Sequence, residues 1–403
     1  MKDSFIPVLM GNDINVYSMA RAFHQEYEIK SMVFCKTVSG PCNNSTILTL
    51  DAHPKMDTKD VFLEKINGFA EKNKEKKIIL IGCGDSYVEV ISSNLKYLRE
   101  NIIAPYMSFD LIEPLTDKKT FYEMCEENGI DYPSTFIYEK VTSPDADPGF
   151  SAPYIIKPAD SVEYWRFPFE GQNKVFLVDT RDELKKTVSD IFASGYSKSI
   201  IVQEFIPGDD SNMRVLTSYS DRKGKVKLMA LGHVLLEEHT PKGIGNHAVI
   251  LNEYNRELYD KYKNLLEKLD YRGFSNFDIK YDPRDGKYKA FEINPRQGRS
   301  NFYVTNSGYN LAKMVVDEFL SGKEIQDTVL VSNKKLWIVI PKQVAVTYIT
   351  DEECKNEMKE LISKGEYVNP LFYEKDRSLK RTLSLFKSQL SHYAKYKKYM
   401  GGK

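Results

Sequence analysis

The chain has 403 residues, 41% apolar and 28% charged, the composition of a packed core rather than of a disordered segment. Its 57 basic and 57 acidic residues cancel, so nothing in the net charge favours nucleic acid as a partner. The five cysteines (Cys35, Cys42, Cys83, Cys125, Cys354) form no CxxC pair, which argues against a disulfide framework or structural zinc and for a reducing cytoplasm. There is no signal-peptide pattern, and no run approaches the ~20 apolar residues of a membrane span. At roughly 150 residues per domain, two or three domains are expected.

The first 115 residues alternate in type. "FIPVLM" reads as a buried strand, followed by Gly11 and a helix from Asn15 to Tyr27. "KSMVF" and "KKIILIGCGD" read as further strands, and "SYVEVISSNLKYLREN" as a helix. This pattern predicts a parallel sheet with helical crossovers. The turn "LIGCGDS" resembles a dinucleotide loop, but Tyr87 stands where a third glycine is needed, so an oxidoreductase is a weak rival reading. A helix is expected from Asp117 to Asn128, capped by Asp117 and ended by Gly129. "PYIIKP" and "SIIVQEFIP" follow as strands, and Lys225 to Glu238 as a strand-rich stretch. "YNRELYDKYKNLLEKLDYRG" predicts a helix stopped by Gly273. "FDIKYD" and "KYKAFEIN" predict a hairpin turning at Asp285-Gly286. Another helix is expected from Asn310 to Leu320. "KKLWIVIPK" opens a last region that ends in a basic helical tail, giving segments 1–115, 116–325 and 326–403.

The hairpin carries the clearest chemistry. Glu292 and Asn294 are two residues apart on one strand and share a face, and Asp278 can oppose them from the other. Two carboxylates and an amide oxygen suit Mg²⁺; a solvated hairpin with ordinary polar positions is the alternative. Arg296 and Arg299 follow at once and suit phosphate or carboxylate oxygens. Upstream, Lys118 opens a helix and Lys157 ends an apolar strand, where an ammonium either meets an anion or snorkels to solvent. Glu204 precedes the turn at Pro207-Gly208. Asp209 and Asp210 after it either accept from ribose hydroxyls or simply favour the turn.

Taken in order, "DKKTF", "PYIIKP", "VQEFIPGDD", "NFDIK" and "FEINPR" resemble the ATP-grasp superfamily. The resemblance implies an α/β (α+β) fold. An N-terminal alternating domain would precede two α+β subdomains that grip ATP, followed here by a C-terminal extension. It implies that Lys118 and Lys157 contact the nucleotide phosphates. The stretch Glu204, Phe205 and Ile206 would line the adenine, largely through backbone groups, and an acid at Asp209 or Asp210 would bind ribose. Asp278, Glu292 and Asn294 would hold one or two Mg²⁺, with Mn²⁺ as a substitute. The chain departs from the family where a glycine-rich phosphate loop is usual: "ADSVEYWRFPFEG" has only Gly171, leaving backbone N–H groups and Ser161 as candidates.

A narrower resemblance, through "FIPVLMGNDINVYSMARAFH", "KPADSVEYW" and "HVLLEEHTPKGIGNHAVI", is to the D-aspartate ligases of Gram-positive cell-wall synthesis. It implies a ligase that activates the carboxylate of D-aspartate as an acyl phosphate and passes it to the lysine side-chain amine of a peptidoglycan precursor, such as a lipid-linked one. Arg296 would steady the transferred phosphoryl and the tetrahedral intermediate. Arg214 would anchor a substrate carboxylate, or else be a surface-strand arginine. Lys242 and His247 lie in a glycine-bearing loop suited to closing over substrate, with His247 either accepting the amine proton or making an ordinary hydrogen bond. Another amino-acid or dipeptide ligase of the superfamily is the near alternative. A non-catalytic nucleotide-binding regulator would have no use for two metal carboxylates.

From Arg377 to Lys403 there are eight Lys or Arg and no acid, with Leu379, Leu383, Phe386, Leu390 and Tyr393 at helical spacing. One reading packs this helix on the body with a solvated basic face. The other gives it weak contact with an anionic membrane surface.

Overall fold

In the computed structural model, residues 4–241, 243–323 and 325–401 are described, the side chains of residues 161 and 162 apart. The chain divides into two units: residues 1–116, 209–279 and 292–403 make the larger, and residues 117–208 and 280–291 the smaller. This division differs from the three consecutive segments read from the sequence. "KKLWIVIPK" supplies the strand Leu336–Ile338, which pairs antiparallel with His247–Glu253 and so joins a sheet begun much earlier in the chain.

The larger unit opens with a parallel sheet in the order Leu48–Ala52, Ser31–Cys35, Phe5–Met10, Lys77–Gly82, Ile102–Ile103. Its inner strands are apolar along their length because helices cover both faces, as parallel sheets require. Strand order reverses between Phe5–Met10 and Lys77–Gly82, so the crevice beyond their carboxyl ends is the place where open α/β sheets receive ligands. Asp13 caps the helix Ile14–Tyr27 by accepting from the N–H groups of Asn15 and Val16 at 3.0 and 3.3 Å. The helix expected through "SYVEVISSNLKYLREN" ends early. Asp85–Ser92 is helical, the Asn94 side chain then takes the Val90 carbonyl at 2.8 Å, and a short 3₁₀ turn follows.

The second sheet of this unit is mostly antiparallel, in the order Lys287–Asn294, Gly273–Asp282, Met213–Ser220, Val226–Glu237, His247–Glu253, Leu336–Ile338, Tyr367–Val368. The helix before the hairpin, Arg256–Lys268, stops sooner than expected. Asp270 takes the left-handed conformation at φ 49°, and the Tyr271 N–H returns to the Leu266 carbonyl at 2.9 Å. Gly273 opens the strand instead, because a Cβ there would lie 2.3 Å from the Pro105 carbonyl oxygen. The hairpin turns as expected, with Gly286 at φ 71°.

The helix Leu379–Met400 packs through Arg381, Leu385, His392 and Tyr396, not through its leucine stripe. Arg381 is buried, pairs with Asp376 at 3.0 Å and lies over the Tyr17 ring. Asp376 in turn accepts from the Tyr17 and Ser45 hydroxyls at 2.8 Å and from the Thr46 N–H at 2.6 Å. Leu379, Leu383, Phe386, Leu390 and Tyr393 remain exposed. No helix among the described residues is long and apolar enough to cross a membrane.

The smaller unit has a four-stranded antiparallel sheet, Thr135–Tyr138, Ile200–Glu204, Tyr154–Pro158, Phe176–Val178, around a core that includes Tyr138, Ile156, Val188 and Val202. Its first helix, Lys118–Glu127, is capped by Asp117 as expected, the carboxylate taking the Thr120 N–H at 2.9 Å. Thr180 and Glu183 form a reciprocal capping box for Arg181–Ala193.

Candidate active site

In the larger unit the hairpin presents Asn276 and Asp278 on one strand and Glu292 and Asn294 on the next, while Phe277, Ile279 and Ile293 point into the core. The period of two that buries the apolar set thus brings the polar set to one face. Asp278 receives long hydrogen bonds from the amides of Asn276 (3.4 Å) and Asn294 (3.5 Å). Burial pushes the Asp278 carboxyl well above the ordinary carboxylate range, and the neighbouring Glu292 adds to the rise, outweighing the opposing Arg296. Two carboxylates held this close repel when both are ionised, so the pair favours a divalent cation. Among the described residues no group of three or more His, Cys, Asp or Glu is placed to hold a metal ion. Two carboxylates with an amide oxygen nonetheless fit Mg²⁺, which takes one or two carboxylates and fills its remaining positions with water and substrate phosphate. The Asn294 amide oxygen accepts from Arg296 Nη2 at 3.1 Å, so serving as a ligand would require that amide to turn.

Gly298 is fixed by this arrangement. A Cβ at that position would stand 2.4 Å from Asn276 Oδ1, the atom that accepts from the Thr217 hydroxyl at 2.9 Å.

Arg296 reaches the crevice at the sheet's reversal point. Its Nε and Nη2 meet the two oxygens of Asp85 at 2.6 and 3.2 Å. Burial works against its charge, but Asp85, Asp278 and Asp13 outweigh burial and keep the guanidinium ionised. The next residue, Gln297, is fully buried and donates to Asn15 Oδ1 and the Gly82 carbonyl at 3.2 and 3.3 Å. Asn301 reaches the same Asn15 oxygen at 2.7 Å. This amide cluster ties the end of the hairpin strand to the ends of Phe5–Met10 and Lys77–Gly82. Asp13, beside Arg299 and Arg296, is raised by burial, which the Val16 N–H and Arg299 offset only in part.

Arg299 donates to Glu238 at 3.2 Å and to the His247 carbonyl at 3.4 Å. His247 lies 3.9 Å from Glu237 and is nearly fully buried; burial first, then Arg299, lower its pKa to about 4. So weak a base suits hydrogen bonding better than taking an amine proton at neutral pH. Lys242 lies outside the described residues, as does the side chain of Ser161. Arg214 is buried rather than on the surface. Its donors go to Glu253 and to the carbonyls of Ser211 (2.8 Å) and Met213 (3.0 Å), so it braces the turn before its strand. Asp209 and Asp210 also hold this turn in place. Asp209 accepts from the Ser211 N–H at 2.9 Å and from the Thr350 hydroxyl. Asp210 accepts from the Glu237 N–H at 2.8 Å and from His239 at 2.7 Å.

In the smaller unit Lys118 is the first residue of its helix, and Lys157 lies half-buried on Tyr154–Pro158 opposite Ile201. The Glu204 side chain takes the Ser134 N–H at 3.0 Å, Lys289 at 2.9 Å and Arg284 at 2.8 Å, and Lys289 also reaches buried Asp282 at 2.7 Å. Its carboxylate is therefore committed to an ion cluster, leaving the backbone of 204–206 for a base. Within that backbone the Phe205 N–H bonds to the Pro153 carbonyl at 3.1 Å and the Ile206 carbonyl accepts from Lys280 at 2.9 Å. Sequence reasoning missed Asp13, Asn15, Asp85, Glu237, Glu238 and Gln297. Asp13 and Asp85 each follow an apolar strand and a glycine, a signal that becomes specific only once strand order is known.

The model of the ATP-grasp domain matches residues 115–300. The chain is 42% identical over 409 residues to the D-aspartate ligase of Enterococcus faecium (strain Aus0004), covering 98% of this chain and 97% of that protein. Among solved structures, an L-amino acid ligase from Bacillus licheniformis superposes with a TM-score of 0.57 at 14% identity, over 84% of this chain and 80% of that one. The ADP complex of N5-carboxyaminoimidazole synthetase from Staphylococcus aureus superposes at 0.59 and 14% identity, over 87% and 86%.

Proposed function

Since the chain belongs to the D-aspartate ligase family of ATP-grasp enzymes, and is thus an ATP-dependent ligase joining a carboxylate to an amine, we propose that its carboxylate substrate is D-aspartate. The acceptor we assign is the lysine side-chain amine of a peptidoglycan precursor, soluble or lipid-linked, met in the cytoplasm. The observation that carries the reading is the Asp278–Glu292 carboxylate pair, with Asn294 beside it and Arg296 adjacent.

The β-carboxylate attacks the γ-phosphorus of ATP, the bond to ADP breaks, and an acyl phosphate forms. The amine then attacks the acyl carbon, the C–N bond forms, phosphate leaves, and the amine proton passes to solvent or a nearby base. Asp278, Glu292 and Asn294 would hold one or two Mg²⁺, which when bound neutralise phosphate charge. Arg296, kept ionised by Asp85, stabilises negative charge on the transferred phosphoryl and on the tetrahedral intermediate. Lys118 and Lys157 contact phosphate, and residues 204–206 line the base. Arg299, which bonds Glu238 and acts on Asp13, brings both signs of charge together, which suits a zwitterionic amino acid with a second carboxylate.

The test is ATP-dependent phosphate release with a panel of D- and L-amino acids and a pentapeptide precursor. D-Aspartate should exceed every other acid by at least tenfold, and Glu292→Gln should abolish release. Equal turnover with an L-amino acid or with no precursor would point to another amino-acid or dipeptide ligase.

A further inference from the structure

The exposed side of the helix Leu379–Met400 does not belong to the ligase chemistry. Leu379, Leu383, Phe386, Leu390 and Tyr393 are 77, 62, 57, 67 and 44% exposed. At 100° per residue they fall within an arc of about 80°, roughly a third of a turn from the buried set Arg381, Leu385, His392 and Tyr396. The Phe372 ring, 40% exposed, stands 6.0 Å from that of Phe386 and widens the apolar face toward Ile340 and Tyr367. Single exposed apolar residues are ordinary; a contiguous stripe on one helix marks a contact surface.

Charge narrows the choice of partner. Arg377, Lys380, Lys387, Lys395, Lys397 and Lys398 are exposed along or beside this helix, and no acid occurs from 377 onward. The 4-3-4-3 spacing of the stripe would also suit pairing with a second copy. Two copies paired through this stripe, however, would bring lysines together from helices that carry no acid to offset them. An anionic bilayer satisfies both features, taking the leucines and phenylalanines at the acyl boundary and the lysines at the phosphates. Arg381 is withdrawn from the basic face by Asp376 and Tyr17, and that buried anchor holds the helix to the body with its stripe outward.

We propose that this face docks the enzyme on an anionic membrane surface, peripherally and reversibly, whatever carboxylate and amine it joins. The experiment is co-sedimentation of the full chain with vesicles of equal parts phosphatidylglycerol and phosphatidylcholine, against pure phosphatidylcholine. Wild type should pellet at least tenfold more with the anionic vesicles and lose the preference in high salt. Leu383→Ser with Leu390→Ser should lose the binding at unchanged melting temperature and unchanged turnover on soluble substrates. Lys380→Gln with Lys387→Gln should weaken it severalfold. Failure of wild type to pellet, equal pelleting of the serine variant, or equal binding to neutral vesicles would overturn the proposal. So would a wild-type dimer, seen by sedimentation velocity, that the serine substitutions dissociate.

Discussion

Asp85 grips Arg296 at two points, Nε to Oδ1 at 2.6 Å and Nη2 to Oδ2 at 3.2 Å, across 211 residues of sequence. A planar guanidinium held by both oxygens of one carboxylate has a fixed plane as well as a fixed position. Asp85→Asn should therefore lower kcat by roughly tenfold or more while leaving ATP affinity within a few fold, since only transition-state charge stabilisation is loosened. Arg296→Lys should cost about a hundredfold or more. Steady-state kinetics with both variants provide the check, and an Asp85→Asn enzyme with wild-type kcat would remove Asp85 from this role.

The Asp278–Glu292 pair predicts a proton exchange. Burial and the neighbouring carboxylate raise Asp278 far above its ordinary value, so without a divalent cation one proton is retained near neutrality. Cation binding needs both carboxylates ionised, so Mg²⁺ affinity should rise with pH and binding at pH 7 should release a proton. Calorimetry in two buffers of different ionisation enthalpy measures the release. Asp278→Asn should abolish it together with most Mg²⁺ affinity.

Gly298→Ala should be costly for its size. Its methyl would press on Asn276 Oδ1, which is tied to Thr217 and cannot swing away without losing that bond. Overpacking of this kind costs about 1–3 kcal/mol. A fall in melting temperature accompanied by weaker Mg²⁺ binding is expected; a silent substitution would show that Asn276 can yield.

Acid sensitivity should follow from His247 and His392. Burial first, then Arg299 for His247 and Lys395 for His392, lowers both to about 4, against an ordinary value of 6.5. The unfolded chain binds these protons at a higher pH than the folded one. The stability gained from keeping the rings neutral is thus present in full above pH 6.5 and is lost as pH falls toward 4. Each histidine contributes up to about 3 kcal/mol at 1.36 kcal/mol per pKa unit. Melting curves from pH 7.5 to 4.5 should show the decline, flattened in His247→Gln.

In the smaller unit, Lys289→Met should destabilise by about 3–5 kcal/mol, because Asp282 and Glu204 would then share Arg284 as the main cation of their cluster. Chemical denaturation gives the number. A loss below 1 kcal/mol would mean that Arg284 alone suffices.

Much of this was legible because it is local. Asp117 as a cap, the Asp285-Gly286 turn and the shared face of Glu292 and Asn294 each depend on residues within a few positions of one another. The helix ends at Ser92 and Lys268 were not, since the competing Asn94 side chain and the left-handed Asp270 leave the apolar pattern intact past the stop. Nor could Asp85 be matched to Arg296, or Asn15 to Gln297, because strand order decides which loops meet. The tail was legible only in part for a related reason. Its periodicity shows that a stripe exists, and only packing shows that Arg381 and Tyr396, rather than the leucines, face inward.

The buried link from Tyr17 through Asp376 to Arg381 also constrains biosynthesis. Tyr17 leaves the ribosome 359 residues before the carboxylate that completes its hydrogen bond. At 5–20 residues per second, the first helix waits roughly 20–70 seconds with that side unfinished. During this interval the nascent chain depends on chaperones or partial structure to shield it. A message truncated before Asp376 would yield a product whose earliest-made segment is the one left without its cover.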